Sequence, residues 1–97
     1  MKIAVASLGQ DPNSEISPQA GRAPYYLIFE NSELVETWKN VFSFGGGGVG
    51  PAVAKVMADK NVEKIICSNL GEKMKDALNA KGIGFEEKTG VVKDVVC

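Results

Sequence analysis

Residues 45–71 read GGGGVGPAVAKVMADKNVEKIICSNLG, and the reading of this stretch decides the fold. Val49, Val53, Val56 and Met57 recur at helical spacing, while Lys55, Asp59 and Lys60 fall on the opposite face. Pro51, just behind Gly50, suits the first helical position, where its missing N–H costs nothing. The pattern predicts a helix over about 51–60, and the apolar run VEKIICS that follows predicts a strand. A strand reached through a helix belongs to a right-handed crossover and comes back parallel to its neighbour in the sheet. The chain is therefore committed to an α/β sheet with a parallel part.

Upstream, residues 2–8 are a continuous run of small apolar side chains, among them Ile3, Ala4, Val5 and Ala6, which suits a central strand covered on both faces. Next come sixteen residues rich in turn formers, GQDPNSEISPQAGRAP. That is long for a connection between neighbouring strands and marks a functional loop. YYLIFE (25–30) and LVETWKNV (34–41), parted by Asn31, Ser32 and Glu33, predict an antiparallel hairpin. Downstream, Leu70, Met74, Ala77 and Leu78 repeat at helical spacing through a second helix that Gly82 stops. Residues 83–86 predict a short fifth strand, and the tail TGVVKDVVC leans to helix. The expected architecture is one α/β domain over residues 1–97. It is a three-layer fold with a mixed sheet of order 3-2-1-4-5, strand two antiparallel, and helices on its faces. Counting directions brings three loops, 9–23, 42–50 and 68–71, to the carboxyl edge of the parallel strands, where open α/β sheets bind ligands.

Composition narrows the chemistry. Eleven basic and twelve acidic residues give a net charge of -1, without the basic field that nucleic acid requires. The N-terminal apolar run is too short for a membrane span or a signal segment, so a cytoplasmic protein with no membrane partner is expected. Histidine is absent and the cysteines are Cys67 and Cys97, which removes His-based zinc sites and imidazole-activated nucleophiles. No catalysis is expected. Cys67 reads first as a small buried hydrophobe at a strand end.

Five of the eleven glycines fall within residues 45–50. A P-loop would need Lys-Ser/Thr where Pro51 and Ala52 stand, and a dinucleotide fingerprint would need an acid where Cys67, Ser68 and Asn69 stand. What remains is bare backbone at a helix start, where exposed N–H groups and the positive dipole end favour an anion. Gly45, Gly46, Gly47, Gly48 and Gly50 are the candidates. Arg22, the one arginine in the chain, lies in the long first loop on the same predicted edge, and a planar guanidinium suits a large anionic ligand. A linker role for the glycines and a solvated Arg22 are the plainer readings.

Together MKIAVAS, EISPQAGRAPYYLIFE and the stretch GGGGVGPAVAKVMADKNVEKIICSNLGEKMKDALNAKGI resemble the dinitrogenase iron-molybdenum cofactor biosynthesis family, the small domain of NifX, NafY and the C-terminal part of NifB. The resemblance implies an RNase H-like fold and a role in binding or carrying iron-sulfur or iron-molybdenum cofactor precursors. Such clusters are anionic, in keeping with the site read from glycines and arginine. It also implies donor or acceptor proteins for the cluster as partners. Relatives that hold cofactor tend to carry histidine near the positions of Gln19 or Asn69, which here are amides. Cys67 is the one candidate metal ligand at the site edge, with Asn69 a further cofactor contact. One thiolate per chain cannot fill a four-ligand cluster site, so the cluster would bring its own ligands or be shared between subunits. A nuclease would need carboxylates on the central strands, and strand one has none. The alternatives are a phosphate or other small-anion binding module at the glycine turn, or an interaction domain docking through Trp38 and Phe44.

Overall fold

The computed structural model describes residues 1–42 and 49–96. Eight elements follow in order: β1 (Lys2–Ser7), β2 (Tyr25–Glu30), β3 (Glu33–Lys39), α1 (Val49–Asp59), β4 (Lys64–Cys67), α2 (Glu72–Ala80), β5 (Gly84–Glu87) and α3 (Val92–Val95). The sheet order is β3-β2-β1-β4-β5. β1 pairs antiparallel with β2 and parallel with β4, and β4 pairs parallel with β5. The α/β class, the strand order and the antiparallel second strand are as the sequence predicts.

Alternation along the strands divides the core in two, because successive side chains leave a strand on opposite faces. Ala4, Ala6, Tyr26, Ile28, Ile65 and Cys67 lie on one face, packed with Val53, Ala54 and Met57 of α1 and Met74 and Leu78 of α2. Val5, Leu27, Phe29 and Ile66 lie on the other, covered by Ile16 of the first loop and Val92 of α3. Continuous burial of β1 from Ala4 to Ser7 follows from having a layer on each side.

The element ends differ from the sequence reading for local reasons. α1 begins at Val49, which puts Pro51 inside the first turn rather than at its start; the N–H groups of that turn have no helical partner, so proline is tolerated there. α1 ends on Asn61 in the left-handed region at φ 64°. Val62 N–H then donates to the Met57 carbonyl and Asn61 N–H to that of Ala58, the paired bonds of a Schellman cap. Val62 is used in this cap, Glu63 N–H donates to the Lys2 carbonyl, and β4 starts at Lys64. Gly82, at φ 72°, ends α2 by the same pair of bonds, from Ile83 to Leu78 and from Gly82 to Asn79. The hairpin turns on Asn31 and Ser32, both at positive φ, so β3 takes in Glu33. A bulge opposite Ile28 and Phe29 then shifts the register of this edge strand.

Candidate functional site

The carboxyl ends of β1, β3, β4 and β5 share one edge of the sheet. Both longer helices start there. An open hollow of about 300 Å³ lies at this edge, walled by residues 18–22 of the first loop, by Asn69 and Gly71 of the β4–α2 loop, by Gly50 of α1, and by Lys73 and Met74 of α2. Arg22, Gly50 and Asn69, chosen from the sequence, therefore line one hollow. Gly45, Gly46, Gly47 and Gly48 lie outside the described residues, as does Phe44. Trp38, the other aromatic considered as a docking group, packs between Tyr26 and Phe42 at ring separations of 6.0 and 6.3 Å.

Lys73 escaped the sequence reading, since a lysine on a helix reads as a solvated face. In the fold it is the second residue of α2 and gives the hollow a second cation beside Arg22; among the described residues the lining contains neither Asp nor Glu. Gly50 also has a role in packing. A Cβ there would meet the Met74 backbone at 3.4 and 3.5 Å, ordinary van der Waals contact, so Gly50 sets the start of α1 beside that of α2.

Buried polar groups hold the walls. Ser17 N–H donates to the Ala6 carbonyl at 2.8 Å, and the Ser17 carbonyl accepts from Ser68 N–H at 3.2 Å. Ser17 thereby ties the first loop to the ends of β1 and β4. The Tyr26 hydroxyl donates to the Ala20 carbonyl, and Asn40 reaches the carbonyls of Gly21 and Ala23. Glu87, at the end of β5, accepts from Leu70 N–H at 2.9 Å and holds the β4–α2 loop.

Cys67 is fully buried, and its Sγ donates to the Ser17 carbonyl at 3.2 Å. Burial pushes its thiol above the ordinary value; backbone hydrogen bonds at Asn69 and Ser68 pull the other way, and the Glu87 carboxylate adds to the rise. The Tyr26 hydroxyl is held well above the usual phenol value, first by burial and then by Cys67 nearby. Among the described residues no three Cys, Asp or Glu side chains lie close enough together to hold a metal ion. Nor is any helix among them long and apolar enough to cross a membrane. The chemistry this edge offers is recognition of a negative group by cations, amides and helix starts.

A family model described as "Dinitrogenase iron-molybdenum cofactor" matches residues 1–97. The chain belongs to the dinitrogenase iron-molybdenum cofactor family, which associates it with that cofactor's binding or biosynthesis. An NMR structure of a Thermotoga protein provisionally named NifB, of the DUF35 family, is 31% identical with a TM-score of 0.82, the match covering 98% of this chain and 83% of that one. The apo form of the orange protein from Desulfovibrio gigas is 25% identical with a TM-score of 0.90, covering 98% and 82%. No curated protein matches the chain.

Proposed function

We propose that the protein binds and carries an anionic metallocluster, an iron-sulfur or iron-molybdenum type cofactor or its precursor, without transforming it. The observation that supports this most is the hollow at the sheet edge, lined by Arg22 and Lys73 with no acid among the described residues of its walls. A cluster that keeps its own sulfide and thiolate shell needs no protein ligand set. It needs compensating charge, hydrogen-bond donors and an open approach. Arg22 and Lys73 supply charge, and Asn69 and Gln19 supply amides. The starts of α1 and α2 add their dipoles, and Gly45, Gly46, Gly47 and Gly48 are proposed, from the sequence, as further backbone donors. Cys67 takes a second place. With its thiol buried, protonated and bonded to Ser17, ligation would require residues 67–69 to open first. Proteins that donate or accept the cluster are the implied partners, and the cytoplasm is the implied compartment.

The test is an anaerobic titration with a synthetic dianionic [4Fe–4S] cluster carrying thiolate ligands, followed through quenching of Trp38. Arg22→Ala and Lys73→Ala should each weaken binding by about three- to tenfold, the range of an exposed to half-desolvated charge contact. Cys67→Ala should leave affinity unchanged. Absence of binding in the wild type would defeat the reading. A second reading, a phosphate-type anion site, is favoured by the first turn of α1, which carries no acidic residue. Inorganic phosphate displacing the cluster at equal concentration would support it instead.

A further inference from the structure

The segment that brings Arg22 to the hollow is held by its carbonyl oxygens. Asn40 Nδ2 donates to the carbonyls of Gly21 at 3.0 Å and Ala23 at 2.9 Å, and the Tyr26 hydroxyl donates to that of Ala20. Both donors belong to the interior: Tyr26 is 0% and Asn40 2% exposed. The amide oxygen of Asn40 accepts from Phe42 N–H at 3.0 Å. Each end of the amide thus has its complement, and turning it over would set N–H against N–H and oxygen against oxygen.

A carbonyl oxygen is the negative end of a peptide dipole. Turned toward a ligand, it attracts a cation and repels an anion; bonded to a buried donor, it does neither. Three carbonyls of one short segment are withdrawn in this way on either side of Arg22. We infer that Asn40, with Tyr26 beside it, is a specificity-determining residue that makes this wall of the hollow select anions. It does so by anchoring in the core the carbonyl oxygens that would oppose a negative cargo. The inference rests on the reading of the hollow as an anion site. Asn40 itself lines no part of the hollow, so it is a positioning residue acting through the 20–23 segment.

Asn40→Asp tests this, because the carboxylate keeps the size of the amide and the oxygen that accepts from Phe42 but offers no donor to Gly21 and Ala23. Binding of the synthetic dianionic [4Fe–4S] cluster is measured for wild type, Arg22→Ala, Asn40→Asp and the double variant, each at low and moderate salt. Asn40→Asp should weaken binding about tenfold, and Arg22→Ala should add little in that background, since residues acting through one element couple. The salt dependence should flatten in both Asn40→Asp and Arg22→Ala. Full additivity of the two losses, or unchanged affinity in Asn40→Asp, overturns the inference. Should Asn40→Asp fail to fold, Asn40→Ser carries the same cycle, keeping one donor. Amide hydrogen exchange at Arg22 and Ala23 in the cluster-free proteins separates the two ideas. A wild type that binds no cluster, with exchange raised in the variant, leaves a structural clamp and removes both the cargo role and the selectivity. Binding with an additive cycle removes the selectivity alone.

Discussion

Gly50, beside Met74, and Cys67, fully buried, are two single residues at this edge whose neighbours set what a substitution does. An alanine at Gly50 would make ordinary contacts with Met74 at 3.4 to 3.5 Å, so Gly50→Ala should stay within about 1 kcal/mol of wild type in urea unfolding. Gly50→Val adds two branches at the same spot and should cost about 1–3 kcal/mol by forcing the helices apart. For Cys67 the sign follows from its raised thiol. The unfolded chain ionises first, at about pH 8.5, and then holds fewer protons than the folded one. The Cys67 contribution is therefore complete below about pH 8.5 and is lost as pH climbs toward the folded value. Stability measured from pH 7 to 10 should fall less steeply in Cys67→Ala than in wild type, and equal slopes would contradict the assignment. Which residues could be read in advance has a physical basis. Arg22, Gly50 and Asn69 follow from chain direction, which the alternation of strands and helices fixes. Lys73 and Asn40 do not, because their roles depend on which way one helix face and one strand end are turned.

At the scale of elements, the first loop is two pieces with two supports. Residues 11–16 are zipped to the start of α3, where Val92 N–H donates to the Ser14 carbonyl, Ile16 N–H to that of Gly90 and Lys93 N–H to that of Pro12. Residues 17–23 are held to the sheet, Ser17 by its backbone bonds to Ala6 and Ser68, and Ala20, Gly21 and Ala23 by Tyr26 and Asn40. Val92 is fully buried against the second face of the sheet. Val92→Ala should therefore cost about 2 kcal/mol in denaturant unfolding, as buried truncations do. It should also speed amide exchange at Ile16 and leave exchange at Ala23 unchanged; equal acceleration at both would mean that the loop moves as one body. Sequence pattern located every strand and both long helices, since their apolar periods are distinct. It misplaced several of their ends by one or two residues where capping and turns decide. Asn61 in the left-handed region at φ 64° shortens β4, and the positive φ of Ser32 lets β3 begin at Glu33. The support of the loop by α3 was invisible, because it consists of backbone hydrogen bonds between segments about 75 residues apart.

At the scale of the whole molecule, the hairpin turn and the hollow lie at opposite ends of the strands. The hairpin turn lies at the start of β1, where Lys2 faces Glu30, and Glu30, Glu33 and Glu36 gather there. Arg22 and Lys73 stand at the other end, beside the carboxyl ends of the parallel strands. In a molecule with a net charge of -1 these two cations make the proposed attraction local to the hollow, and binding of an anion there should weaken as salt rises through the screening range. The most direct measurement is a map of backbone amide resonances during anaerobic titration with the dianionic cluster. Shifts or broadening concentrated at residues 18–22, 50 and 69–74, with residues 30–36 unchanged, are the predicted result. Perturbation centred on the hairpin end, or none at the hollow while the cluster binds, would contradict the assignment of the cargo to this edge of the sheet.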